Sequence, residues 1–210
     1  NKQIASQLEE FKKTEAVRRE FSANVSHELK TPLMSISGYA ELMMNGMVRP
    51  ENIADFSGRI YKEANRLGNL VADIIQLSRL DEQQDAVVSM ESVELDELAK
   101  DVVNNLRDHA EKKNISLDYC GIPINIQGVR HVLYEMLYNI ADNAVRYTNP
   151  GGHIHIYVGR KGDRPFYRVE DDGIGIPKSE QKRIFERFYR VDKSHSRQTG
   201  GTGLGLSIVK

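Results

Sequence analysis

The feature that most narrows the folds open to this chain is a change of hydrophobic period near residue 85. Before it, apolar residues fall at Val25, Leu29, Leu33, Ile36, Ala40 and Met43, and again at Ile53, Phe56, Ile60, Ala64, Leu67, Val71, Ile74 and Leu77. Steps of three and four keep each set on one helical stripe. After it, ISLDY (115–119), HIHIYVG (153–159) and FYRVE (166–170) alternate as strands do. Between them lie helical stretches at about 94–112 and 128–146, and glycine-rich segments follow. Two periods in one chain predict two domains, a helical one and an α/β sandwich in which helices cover one face of a mixed sheet.

Pro32 interrupts the first helical pattern and is expected to kink or loosen it. The segment NGMVRPEN (45–52) reads as a short turn, so the helices form an antiparallel hairpin. Each helix has an apolar face that one partner leaves uncovered, and a four-helix bundle made by dimerisation covers it. An intramolecular bundle or a coiled-coil stalk satisfies the same periodicity. The polar run DEQQD (81–85) marks a linker, giving a helical domain over 1–80, a linker over 81–90 and an α/β domain over 91–210.

Charge and cysteine content exclude several functions. There are 29 basic and 30 acidic residues among the 210, a net charge of −1, so no positive field points to a nucleic-acid partner. The single Cys120 rules out an intrachain disulfide and multi-cysteine zinc sites. No run approaches the roughly 18 apolar residues that span a bilayer. The opening NKQIASQLEEFKK is unlike a signal peptide and reads as the middle of a helix, which predicts a longer parent protein.

Four groups of residues carry chemistry. In FSANVSHELKTPL (21–33), His27 lies two positions from both Val25 and Leu29, opposite the apolar stripe, and is expected to be exposed. Glu28 can take the imidazole proton or orient the ring, and Thr31 lies one turn on, where its hydroxyl can position water. In EMLYNIADNAVRYT (135–148), Glu135, Asn139 and Asn143 repeat every four residues along one helix face. Amide oxygens in register suit Mg²⁺ bound to phosphates, and Arg146 and Tyr147 follow as a phosphate contact and an aromatic surface. In VEDDGIGIP (169–177), Asp171 precedes Gly173 and Gly175, a carboxylate able to accept an amino proton beside backbone that can approach a ligand. In TGGTGLGLSIVK (199–210), Gly201, Gly203 and Gly205 precede a helical start whose amides suit phosphate oxygens. No Lys-Ser/Thr pair follows the glycines, so this is not a P-loop.

Ser26-His27-Glu28-Leu29-Lys30-Thr31-Pro32-Leu33 resembles the phosphoacceptor motif of sensor histidine kinases, and the ordered boxes at 139–148, 171–175 and 201–205 resemble the Bergerat ATP-binding fold. IFERFYR (184–190) resembles the phenylalanine box of the same family. The resemblance implies a dimeric hairpin bundle followed by a Bergerat-type domain, with His27 phosphorylated by ATP, Glu28 as its acid/base partner and Thr31 in dephosphorylating the regulator. It implies that Asn143, with Asn139, holds Mg²⁺ and that Asp171 contacts adenine. Residues 178–200 would form a lid over ATP, and Lys182, Phe188, Arg190, Thr202 and Leu204 join the glycines in the nucleotide site. Partners implied are a second copy of the chain and a response regulator receiver domain, the phosphoryl group passing to its aspartate. Sensor and membrane-spanning regions are expected upstream, which makes this the cytoplasmic part of a membrane protein. Strands that usually follow the last glycine box are missing from the sequence to Lys210, and Val129 stands where the family often carries Asp. Related ATPases use a glutamate at the position of Asn139 to activate water, so slow hydrolysis is expected.

Overall fold

The computed structural model describes the backbone of residues 2–83, 89–191 and 201–209, with the side chains of 2–8, 10, 13, 14, 17 and 79–83 excepted. The chain divides into two compact units, Asn1–Ser78 and Arg79–Lys210.

The first unit is a helical hairpin, α1 (Lys2–Met44) and α2 (Ile53–Gln83), with a 3-10 turn at Pro50–Asn52 between them. Helix α1 ends because Gly46 takes a left-handed φ of +66°. Its N–H donates to the Met43 carbonyl and that of Met47 to Leu42, which satisfies carbonyls the helix leaves open. Pro50 then occupies the first position of the following turn, where a missing N–H costs nothing. Tyr39 and Phe56 meet edge to face at 5.5 Å, and Arg66 of α2 reaches Glu28 of α1 at 3.7 Å, which fixes the antiparallel register.

The seam between the helices differs from the expected stripe. The covered positions of α1 include Val25, Leu29, Pro32, Ile36, Tyr39 and Met43, while Leu33 is 55% exposed and Ala40 is exposed. On α2 the covered positions include Phe56, Ile60, Leu67, Leu70, Ile74 and Leu77, and Ala64 and Val71 turn outward. Steps that alternate three and four stay on a seam of 3.5 residues per turn, whereas two successive steps of four, as from Val25 to Leu33, rotate off it. Pro32 is fully buried and the helix runs through it without a break, so its ring serves as a packing residue.

In the second unit β2 (Ser116–Gly121) runs parallel to β4 (His153–Lys161), which pairs antiparallel with β5 (Arg164–Asp171). Strands β1 (Glu91–Glu94) and β3 (Asn125–Gly128) form a separate two-stranded ribbon, so the mixed sheet is split in two. Both ribbon strands have four residues, too few for alternation to reveal them. Helices α3 (Leu95–Lys112) and α4 (Arg130–Tyr147) supply Leu98, Val102, Leu106, Leu137, Ala141 and Val145 to one core with Ile154, Ile156 and Val158 of β4. The alternate residues His153 and His155 face out. The short helix α5 (Gly205–Val209) packs against α4. Among the described residues no helix is long and apolar enough to cross a membrane.

Candidate functional site

The residues singled out in the sequence fall on both units. His27 is exposed on α1, as its offset from the seam requires. Glu28 next to it is half-buried and faces Arg66 at 3.7 Å, and Arg66 also reaches Glu63 at 3.6 Å. The Arg66 side chain is 14% exposed, so this pair is better shielded than a surface ion pair and holds the Glu28 carboxylate toward α2. Sequence reasoning missed Arg66; the trace it leaves is two charged residues, Glu63 and Arg66, where α2 meets α1. The Thr31 hydroxyl donates to the His27 carbonyl at 3.2 Å, which points its proton inward and its lone pairs away from the helix. Ser22, Ser26 and Ser35 bond back one turn in the same way, to Arg18, Ser22 and Thr31. Such bonds favour bending, so the α1 segment around His27 carries several.

In the second unit α4 is the base of the site. Asn139 donates its amide nitrogen to the Glu135 carbonyl at 2.9 Å, so its oxygen is the atom presented outward. That oxygen lies against Gly205, where an added Cβ would be 2.7 Å away. Asn143 is half-buried one turn further along the same face. Arg146 is turned onto Asp142 of its own helix at 2.5 Å, a partner the sequence reading did not anticipate. Two amide oxygens on one helix face are a donor set that suits a hard cation such as Mg²⁺.

The two glycine segments converge on the end of this helix. The Asp171 carboxylate accepts the Gly173 N–H at 3.1 Å, and the Ile174 N–H donates to the Tyr147 carbonyl at 3.3 Å. A Cβ on Gly173 would stand 2.5 Å from that same carbonyl oxygen, so the loop approaches α4 as closely as glycine permits. Gly175 has a φ of +68°. Asp172, also missed, accepts the His153 N–H at 2.8 Å; this bond and the His153 side chain hold its carboxyl below the usual carboxylate range. Gly201 lies 3.5 Å, measured from an added Cβ, from the Tyr147 hydroxyl. Thr202 accepts the Leu204 N–H through its hydroxyl at 3.3 Å, and Leu204 is fully buried.

Phe188 and Gly203 form a clasp. Phe188 donates its N–H to the Gly203 carbonyl at 2.9 Å, and both residues have left-handed backbone, φ +62° and +76°. For a bulky residue such as Phe188 this is a strained conformation. A Cβ on Gly203 would meet the Phe188 carbonyl carbon at 2.9 Å. Arg190 is half-buried nearby in sequence, while Lys182 is exposed on the turns between 178 and 187. Residues 192–200 of the expected lid lie outside the described residues. The geometry thus joins Asn139, Tyr147, Asp171, Gly173, Gly201, Gly203, Gly205 and Phe188 around the α4 C-terminal half, and leaves Lys182 away from these contacts.

Comparison with known proteins finds a family domain over each of the two regions. Residues 17–83 match the His Kinase A (phospho-acceptor) domain, and residues 128–210 match the histidine kinase-, DNA gyrase B- and HSP90-like ATPase family. The sensor-like histidine kinase SenX3 of Mycolicibacterium smegmatis is 37% identical over 202 residues, covering 96% of this chain and 52% of that protein. The chain therefore spans about half the length of this relative. Full-length ShkA, solved in complex with AMPPNP, is similar with a TM-score of 0.58 at 29% identity over 90% of this chain and 39% of its own. The histidine kinase ThkA, solved in complex with the response regulator TrrA, has the same fold, with a TM-score of 0.71 at 23% identity over 85% of this chain and 53% of its own. With a phospho-acceptor domain and a histidine-kinase-type ATPase domain in one chain, each matched across its own motifs, the chain belongs to the sensor histidine kinase family.

Proposed function

We propose that this chain phosphorylates itself on His27 at the expense of ATP and passes the phosphoryl group to an aspartate of a response regulator. The observation that carries the reading is the convergence of both glycine segments on α4, with Gly173 against the Tyr147 carbonyl and Gly205 against the Asn139 amide oxygen. A nucleotide is the ligand such backbone-rich surfaces suit, because N–H groups and close backbone approach serve phosphate and adenine alike. In this reading Asp171 accepts a hydrogen bond from the adenine amino group, and the glycines of 201–205 face the phosphates. Asn143 and Asn139 would hold Mg²⁺, which when bound offsets charge on the phosphates.

The chemistry at His27 then follows from its neighbours. A ring nitrogen attacks the γ-phosphorus, the bond to the β-phosphate oxygen breaks, and ADP leaves. The imidazole proton passes to Glu28, whose carboxylate Arg66 steers. In the second step an aspartate oxygen of the regulator takes the phosphoryl group and the P–N bond breaks. Thr31, with its lone pairs directed away from the helix, is suited to hold the water that later hydrolyses the aspartyl phosphate. The exposed Leu33, Val71 and Ile75 of the hairpin are covered in this reading by a second copy of the chain, completing a four-helix bundle. The regulator partner is supported by the motif around His27 and by the family.

Asparagine substitution separates this reading from a binding-only one. Asn143→Ala is expected to weaken Mg·ATP binding by about ten-fold or more and to abolish labelling of His27, with helix content unchanged. Unchanged affinity would remove Asn143 from the site.

A further inference from the structure

The sequence motifs leave out a residue that the structure ties to the nucleotide site more firmly than several they include. Lys113 follows the last residue of α3, and its ammonium donates to three carbonyls at the far end of α4: Val145 at 2.7 Å, Arg146 at 2.9 Å and Thr148 at 3.2 Å. All three ammonium protons are used. These are the carbonyls that a helix C-terminus leaves open and where its dipole favours a cation.

The backbone around Lys113 is itself anchored. Its N–H donates to the Ala110 carbonyl, and Asn114 closes α3 with a left-handed φ of +56°. The Asn114 carbonyl accepts the Gly151 N–H at 2.9 Å, which binds the turn after α4 to the same corner. The ammonium is half-buried; burial and the Arg146 guanidinium push its pKa down, with Asp142 opposing. Thus the last turn of α4 is held by one side chain from the end of α3. Between Arg146 and Thr148 lies Tyr147, whose carbonyl seats Ile174 and Gly173 of the adenine loop.

We propose that Lys113 is a positioning residue for nucleotide binding: it fixes the end of α4 so that Tyr147 and the Asp171–Gly175 loop meet in the geometry that accepts ATP. Lys113 does not touch the nucleotide in this account. Its effect passes through the Val145, Arg146 and Thr148 carbonyls to the Tyr147 carbonyl. The role rests on the nucleotide site proposed above and names a residue that no motif of that site contains.

The test is nucleotide affinity in the whole chain, with a matched structural control. Lys113→Met removes the donors at similar volume, and Lys113→Arg keeps a cation with several. Tyr119→Phe breaks a second long-range tie, the Tyr119 hydroxyl to Asp96, at the other end of α3, roughly 25 Å from Lys113 along the helix. Titration with a fluorescent ATP analogue and Mg²⁺, below the melting temperature of every variant, should show K113M binding about ten-fold more weakly, K113R recovering most of the loss, and Y119F within two-fold of wild type. The KM for ATP should rise in the same order while the maximal rate of His27 labelling changes less than three-fold. Equal affinity in K113M and wild type overturns the proposal, and so does a Y119F loss matching that of K113M, which makes Lys113 a stability residue only. Failure of the wild-type chain to bind the analogue instead overturns the nucleotide site itself.

Discussion

Gly173 and Glu28 show how much of each site rests on one residue. A methyl group at 173 would lie 2.5 Å from the Tyr147 carbonyl oxygen, an atom the helix cannot move cheaply. Gly173→Ala should therefore push the adenine loop off α4 and weaken ATP binding by roughly 100-fold, with the circular dichroism spectrum unchanged. Affinity near that of wild type, measured by calorimetry, would mean the loop is not part of the site. At His27 the residue to change is Arg66. Arg66→Ala removes one partner of the Glu28 carboxylate, and the rate of self-labelling at saturating ATP should fall roughly ten-fold with KM for ATP unaltered. A change confined to KM would contradict the link from Arg66 through Glu28 to the ring. His27, Glu28 and Thr31 were legible because they are neighbours on one helix. Arg66 was not, since its proximity to Glu28 comes from how two helices pair, which local spacing does not encode.

The elements carry their own instructions, some of them incomplete. Helix α4 begins at Arg130 behind Val129, which has extended backbone and no capping side chain, and no acidic residue lies in the first turn. Val129→Asp supplies an acceptor for open N–H groups and a charge matched to the helix dipole, and should raise stability by about 1 kcal/mol. A melting temperature lowered by that substitution would mean that Val129 packing outweighs the cap. Helix α3 begins with a different solution. Asp96 is buried at 2% exposure and is held by Lys100 at 2.8 Å and by the Tyr119 hydroxyl at 2.5 Å. Lys100 first, then Tyr119, keep the Asp96 carboxyl below the usual range. Its folded pKa lies below the unfolded value near 3.9, so the stability it contributes is complete above that pH and lost as pH falls through the folded pKa. Denaturant unfolding of wild type and Asp96→Asn should differ at pH 7 and converge as pH falls below about 4; a constant gap would remove Asp96 from acid unfolding. Helix periodicity made the long elements readable, and it erred at Leu33, Ala40, Ala64 and Val71, which turn outward. Pro32 reads as a residue that kinks or loosens the helix; α1 runs on past it, and its ring is buried in the hairpin.

At the scale of the whole molecule, the proposed function assigns its two steps to two units of different architecture. The change of period near residue 85 made this division legible in the amino-acid pattern, because a 3.6-residue repeat and a two-residue repeat bury different faces. The split of the sheet into a ribbon and a three-stranded part was not legible, since strands of four residues leave too little pattern. The uncovered Val71 and Ile75 of α2, 41% and 49% exposed, belong to the reading in which two chains pair. Light scattering should give the mass of a dimer, and Ile75→Asp should shift it toward monomer at micromolar concentration. A monomeric wild type would contradict the bundle. Phosphorylation of His27 is tested by incubating the chain with γ-³²P-ATP and Mg²⁺ beside His27→Ala. Label in wild type that is lost in acid and stable in alkali, with none in the variant, is the expected result. Equal labelling of both proteins, or no labelling of a wild type that binds ATP, would contradict it.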